Sequence, residues 1–219
     1  MNLELKKRMI TSVFLLSLLF LMFSYSFILI TSSIVIGLIS WIEFYALISK
    51  IVKKDDVKSR ILRFIYKASS LLYLSILVFL IISAKLINLS LYTILIYSLL
   101  VAIMSDIGGL VIGKIFKGKK LSKISPNKTI SGSLGSFIFA LALVPFFLKY
   151  FYSYNILTII LFTFIISLTS QLGDLLISLL KRKAKVKNTS DLLPGHGGVL
   201  DRIDGIILAI PVGLLIFNI

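Results

Sequence analysis

An all-α, polytopic membrane protein with about seven transmembrane helices and a cytoplasmic N-terminus is the fold class this sequence predicts. Three observations carry that expectation. The chain is 58% hydrophobic with a mean hydropathy of +1.04, far outside the usual composition of soluble domains. Apolar runs close to the ~20 residues that cross a bilayer recur along its whole length. Its charge is segregated as well: 24 Lys and Arg stand against 9 Asp and Glu, for a net charge of +15. Most of the basic residues fall in a few short stretches between apolar runs.

Hydropathy places the spans at 9–23, 28–50, 69–86, 91–113, 131–148, 155–180 and 197–218. The first follows Lys6, Lys7 and Arg8 and so resembles a signal peptide. No small-residue cleavage site follows it, which predicts a retained anchor. Between spans two and three, residues 53–69 mix Lys58, Arg60 and Arg63 with Ile61, Leu62, Phe64 and Ile65. That pattern suits either an interfacial amphipathic helix or a solvated loop. Pro145 and Pro211 fall inside spans five and seven and are expected to kink them.

The remaining basic stretches are residues 114–128 and 181–187, and with the N-terminus inside, all of them fall in cytoplasmic segments. The opposite loops, around residues 24–26, 85–90 and 149–155, are short and nearly uncharged. This distribution points to membrane topology and anionic headgroups rather than to nucleic acid. The absence of cysteine excludes disulfides, thiolate metal sites and cysteine nucleophiles. No repeat or soluble segment divides the chain, so residues 1–219 are expected to form one integral-membrane domain.

The acidic residues carry the chemistry. Glu4, Asp55 and Asp56 flank spans, while Glu43 lies at membrane depth in W-I-E-F-Y, with structural and catalytic roles equally open. On this topology Asp106, Asp174, Asp201 and Asp204 come from three spans at similar depth near the cytoplasmic face. Ionised groups at such depth mark functional sites by default. Four like charges repel unless cations or basic side chains neutralise them, and carboxylates are the usual Mg²⁺ ligands. Asp174, Ser178 and Lys181 fall at i, i+4 and i+7, with Arg182 next to Lys181.

The turn Pro194-Gly195-His196-Gly197-Gly198 precedes span seven, whose N–H groups and dipole are suited to cradle a phosphate. Gly108, Gly109 and Gly113 form a small-residue stripe, for which helix packing is the plainer reading. Plainer readings exist elsewhere too. Lys183 and Lys185 suit topology alone, Arg202 is placed to neutralise Asp201 or Asp204, and His196 to cap its turn.

The stretch from Ser178 through Lys181, Arg182, Lys187 and the L-P-G-H-G-G-V-L-D-R-I-D run to Asp204 resembles the C-terminal signature of phosphatidate cytidylyltransferases, the CDP-diacylglycerol synthases. Ser170–Asp174, S-Q-L-G-D, resembles that family's Q-x-G-D. Residues 105–132 are similar to its D-x-G-A-Y…K-I-S-P-K-K-T-W-E-G segment, and W-I-E-F is a weaker echo. The motif-bearing half is thus 101–205. Two positions depart from the pattern: Asn188 replaces the aspartate after Lys187, and Ile130-Ser131 replaces Trp-Glu. The N-terminal part also looks short for the family, as if some helices were trimmed.

The resemblance implies transfer of a cytidylyl group from CTP to phosphatidate, giving CDP-diacylglycerol and pyrophosphate, at the cytoplasmic membrane with the active site facing the cytoplasm. It implies Mg²⁺ at Asp174 and Asp201, with or without a second cation, and catalytic roles for Asp174, Asp201, Lys181, Arg182 and Asp204. Substrate contacts are expected from Lys128, Ser178, Lys187, His196, Gly197, Gly198, Arg202 and Asp106. The partners implied are CTP, phosphatidate and membrane lipids, with no nucleic acid; a homodimer is allowed but not required. Rival readings are a CTP-dependent kinase or a cytidylyltransferase acting on another lipid phosphate, an inactive partner subunit, and, least favoured, a transporter using its carboxylates for ions.

Overall fold

The computed structural model describes residues 3–122, 125 and 128–217. Lys123, Ile124, Pro126 and Asn127, within the K-I-S-P-N-K-T motif, lie outside the described residues. The described chain is helical, with no β-strand, and six of its helical segments are long and apolar enough to cross a membrane. It divides into two compact units, Met1–Leu86 with Leu180–Ile203, and Ile87–Leu179 with Asp204–Ile219.

The first unit is built on α1 (Leu3–Ser24), α2 (Ser26–Ile51) and α3 (Val57–Ile87). One extended residue, Tyr25 at φ −122° and ψ 117°, separates α1 from α2, so the chain reverses without a loop. Large apolar side chains cover the outer faces; Phe20 is 70% exposed, as expected of a surface solvated by lipid. The α3 helix holds a surprise. Residues 53–56 are a short loop, but 57–69 form neither a separate interfacial helix nor a loop, because α3 starts at Val57 and runs unbroken into the apolar span.

The charged first turns of α3 are largely exposed, yet Arg63 and Lys67 fasten them to α2 and the connecting loop. The Arg63 guanidinium donates to the carbonyls of Val52 and Lys54 at 3.0 and 3.2 Å, just past the end of α2. Trp41 Nε1 donates to the Lys67 carbonyl at 3.1 Å, and the Lys67 ammonium lies 5.3 and 4.8 Å from the ring centroids of Trp41 and Tyr45. In the connecting loop, hydrogen bonds from Arg60 and then Arg63 hold Asp55 below the usual carboxylate range. That contribution is present above pH ~4 and fades as pH falls through the lowered value.

The second unit contains α4 (Leu89–Phe116), α5 (Ile130–Leu141), the short α6 (Val144–Phe147) with a following 3-10 turn (Leu148–Tyr150), most of α7 (Ile156–Lys183), and α9 (Ile206–Ile216). Asn88 caps α4, accepting from Ser90 N at 2.8 Å, and Thr129 caps α5, accepting from Gly132 N at 3.0 Å. The glycine stripe serves packing, as its plainer reading held. A Cβ on Gly109 would lie 2.8 Å from Ser136 Oγ, and one on Gly135 would lie 2.6 Å from Ile112 Cγ1. Backbones of α4 and α5 therefore meet with no room for a methyl group. Gly135→Val is expected to lower stability by about 1–3 kcal/mol, the usual cost of overpacking, measured as thermal unfolding in detergent.

Buried hydroxyls and amides tie this unit together where lipid-like surroundings leave them no water. Ser105 and Ser167 hydroxyls meet at 3.0 Å, and Ser133 donates to Gln171 at 2.6 Å. Two spans are interrupted. Span five breaks at Ala142-Leu143, where Pro145 opens α6 instead of kinking a continuous helix. Span seven is two pieces, α8 (Leu200–Ile203) and α9, joined by a turn at Asp204-Gly205. Pro211 remains inside α9.

Candidate functional site

The signature loop of the first unit begins where α7 stops. Lys185 adopts a left-handed conformation, φ 56°, and the Val186 N–H bonds back to the Lys181 carbonyl at 3.0 Å. The chain then turns at Gly195 and Gly197, both at positive φ of 75° and 85°. Leu193 and Gly197 pair across this turn, the Leu193 N–H donating to the Gly197 carbonyl at 2.8 Å. Two carboxylates hold the loop from below.

Glu43, on α2 and only 5% exposed, is the first. Its Oε1 accepts from Ser190 Oγ at 2.6 Å and Val199 N at 3.0 Å. Its Oε2 accepts from Leu200 N and Thr189 Oγ1, both at 2.8 Å. The carboxylate thus sits at the first turn of α8 and on the loop at once. A charge buried this deeply persists only with such a set of donors.

Asp201 is the second. Its Oδ1 pairs with the Lys181 ammonium at 2.6 Å, and its Oδ2 accepts from Thr189 N at 2.8 Å and Gly198 N at 3.0 Å. The Thr189 hydroxyl lies 3.0 Å from that same oxygen, so its single proton is shared between Glu43 and Asp201. A Cβ on Gly198 would lie 2.5 and 2.7 Å from the two Glu43 oxygens, which is why glycine stands there.

These bonds correct one expectation. The amides of His196 and Gly197 go to the Leu193 carbonyl, and those of Gly198, Val199 and Leu200 go to Asp201 and Glu43. The turn therefore offers no free N–H cradle at residues 196–200, because the protein's own carboxylates already take the place expected of a phosphate. His196 and Gly197 instead line a cleft of about 720 Å³, together with Lys187, Asn188, Asp191, Arg202 and the start of α1. Gly198 is buried beneath it. Arg202 donates to the His196 carbonyl at 2.8 Å.

In the second unit, Asp174 forms an ion pair with Lys128, and its Oδ1 accepts from Ser178 Oγ at 3.3 Å. Its side chain is 22% exposed. Asp204 is buried, with Oδ1 accepting from Gly205 N at 2.9 Å, whereas Asp106 lies exposed on α4. Arg182 is exposed on the last turn of α7. Among the described residues, no three His, Cys, Asp or Glu side chains form a group able to hold a metal ion. Within its own unit each of Asp174 and Asp201 is neutralised by a lysine, Lys128 and Lys181 respectively.

Oxygen ligands of this kind suit Mg²⁺, and Asp174 fits best, being partly open and carrying one weak hydroxyl contact on Oδ1. At Asp201 both oxygens are engaged and the side chain is 5% exposed, so a cation would have to replace Lys181 at Oδ1. Sequence reasoning left Glu43 undecided and missed Thr189 and Ser190. The one available signal was an acidic residue in the middle of an apolar span.

A model described as the cytidylyltransferase family matches residues 2–219. A phosphatidate cytidylyltransferase of Staphylococcus haemolyticus is 41% identical over 120 residues, 53% of this chain and 46% of that protein. Its namesake in Staphylococcus aureus is 42% identical over the same shares, and one in Rickettsia bellii is 40% identical over 49% of this chain and 50% of its own. The chain spans about half the length of the curated relatives it matches. With a matching model over nearly its whole length and the signature loop folded on Glu43 and Asp201, this multi-pass membrane protein belongs to the cytidylyltransferase family.

Proposed function

We propose that this protein transfers the cytidylyl group of CTP to phosphatidate, giving CDP-diacylglycerol and pyrophosphate, at the cytoplasmic face of the cell membrane. The observation that carries the reading is the pairing of two motif aspartates with motif lysines, Lys181 with Asp201 and Lys128 with Asp174. A lysine held on a carboxylate is a cation positioned in advance, able to exchange that partner for a substrate phosphate.

A phosphate oxygen of phosphatidate attacks the α-phosphorus of CTP. The new P–O bond forms as the bond to the β-phosphate oxygen breaks, and pyrophosphate leaves with the electron pair. The attacking phosphomonoester has a second pKa of about 6, so it is largely ionised at neutral pH and needs no strong protein base. Binding and charge neutralisation are what remain for the protein, as in other phosphoryl transfers. Lys181, Arg182 and Lys128 neutralise phosphate oxygens, with Ser178, Lys187, His196 and Arg202 placing them. Mg²⁺ would be held by Asp174, and by Asp201 once Lys181 moves off Oδ1, and supplies charge neutralisation on the phosphates. Asp204 and Asp106 are secondary candidates for the same task.

CTP labelled on its α-phosphate separates this reaction from its nearest rival. The label is expected in the lipid fraction when phosphatidate is supplied. Lipid labelled only from γ-labelled CTP, with CDP released, would instead identify a CTP-dependent lipid kinase.

A further inference from the structure

Building on that reading of the reaction, we infer that the start of α1 completes a phosphate-binding cleft, with Lys7 and Arg8 forming one wall and the signature loop the other. Four cationic side chains line this cleft, Lys7, Arg8, Lys187 and Arg202, against two carboxylates, Glu4 and Asp191. Among the described residues Lys7 and Lys187 have no ion-pair partner. Arg8 pairs only with Glu4, four residues back and exposed, a contact that a better anion displaces cheaply. The cleft therefore carries uncompensated positive charge in a confined space, the condition under which an ammonium and a guanidinium bind phosphate oxygens.

Three contacts fix α1 to the loop and so make this wall part of the site. The Thr11 hydroxyl lies 2.9 Å from the Pro194 carbonyl and donates to it. Ser12 Oγ lies 3.3 Å from His196 Nε2. Gly195 is pressed against Arg8, so a Cβ there would lie 2.7 Å from Arg8 Cγ. Basic residues before a first span serve topology by position alone. That role does not require α1 to be bonded to a loop 183 residues away. His196, which lines the cleft, also keeps a buried Nδ1 with no hydrogen-bond partner among the described residues. The ligand class is a phosphate-bearing group, either the triphosphate of the nucleotide or the phosphate of the lipid headgroup.

Lys7→Glu and Lys7→Arg in the full-length, detergent-purified protein test this. Lys7→Glu is expected to raise one KM by about tenfold, the scale of one charge-assisted contact, with kcat within about twofold; Lys7→Arg retains the wild-type value. A change confined to CTP places the nucleotide phosphates in the cleft, and one confined to dioctanoyl phosphatidate places the lipid phosphate there. Thermal stabilisation by inorganic pyrophosphate and by dioctanoyl phosphatidate is measured in parallel and needs no turnover. Loss of one stabilisation in Lys7→Glu supports the cleft even if the wild type proves unable to form CDP-diacylglycerol, which would refute only the reaction. Wild-type KM values in Lys7→Glu overturn the inference, as do thermal shifts that are absent from the wild type or unchanged in the variant.

Discussion

Glu43→Ala is expected to be the most damaging single change in the signature region, although Glu43 lies far from it in sequence. Removing the carboxylate strips acceptors from the Val199 and Leu200 amides and the Ser190 hydroxyl, and leaves the Thr189 hydroxyl with Asp201 alone. Each buried donor left unsatisfied costs roughly 1–3 kcal/mol, so the loss should exceed about 3 kcal/mol. Glu43→Gln is a sharper probe, since it keeps the shape but turns an NH₂ group toward donors that need an acceptor. Both variants should unfold at lower temperature in detergent and lose turnover with the loop. Gly198→Ala should imitate them from the other side, because its methyl group would enter the space of the Glu43 carboxylate. Wild-type thermal stability in Glu43→Gln would show that the carboxylate does not hold the loop.

The second large effect separates two aspartates that sequence alone treats alike. Asp174→Asn should lower turnover by at least about 100-fold, the scale of removing one preorganised electrostatic group, and leave thermal stability near wild type. Asp174 is partly open and anchors no backbone amide in the hydrogen bonds described. Asp201→Asn should lower turnover by a similar factor and stability as well. It leaves the half-buried Lys181 ammonium without its counter-charge and weakens the hold on Thr189 and Gly198. Equal stability losses in the two variants would contradict this division, and near-normal turnover in either would remove that residue from the proposed chemistry.

The helices were largely legible because lipid leaves the backbone few options: an apolar run of sufficient length must be helical. Six spans were recovered on that ground. The start of α3 was not, because Arg60 and Arg63 suited an interfacial helix and a solvated loop equally. Their partners, the loop carbonyls and Asp55, are visible only once the chain has folded back. The break before α6 exceeded the expected kink, since a proline marks a weak point without stating whether the helix bends or stops. The split between α8 and α9 falls at Asp204-Gly205, away from Pro211.

At the site, the motif residues were recognisable but their bonding was not. A glycine-rich turn before a helix advertises free amides. Nothing in its sequence shows that Glu43, 156 and 157 residues away from Val199 and Leu200, has claimed both of their amides. The lysine partners of Asp174 and Asp201 were hidden for a related reason: hydropathy assigns depth along the membrane normal, but not which lysine each aspartate will face.

Pyrophosphate release by the detergent-purified protein, measured with CTP, phosphatidate and Mg²⁺ and with each omitted in turn, is the most direct test of cytidylyl transfer. Release that requires all three and falls to background in Asp174→Asn is the expected result. Absence of pyrophosphate from folded, complete wild-type protein, or release of CDP in its place, would contradict it.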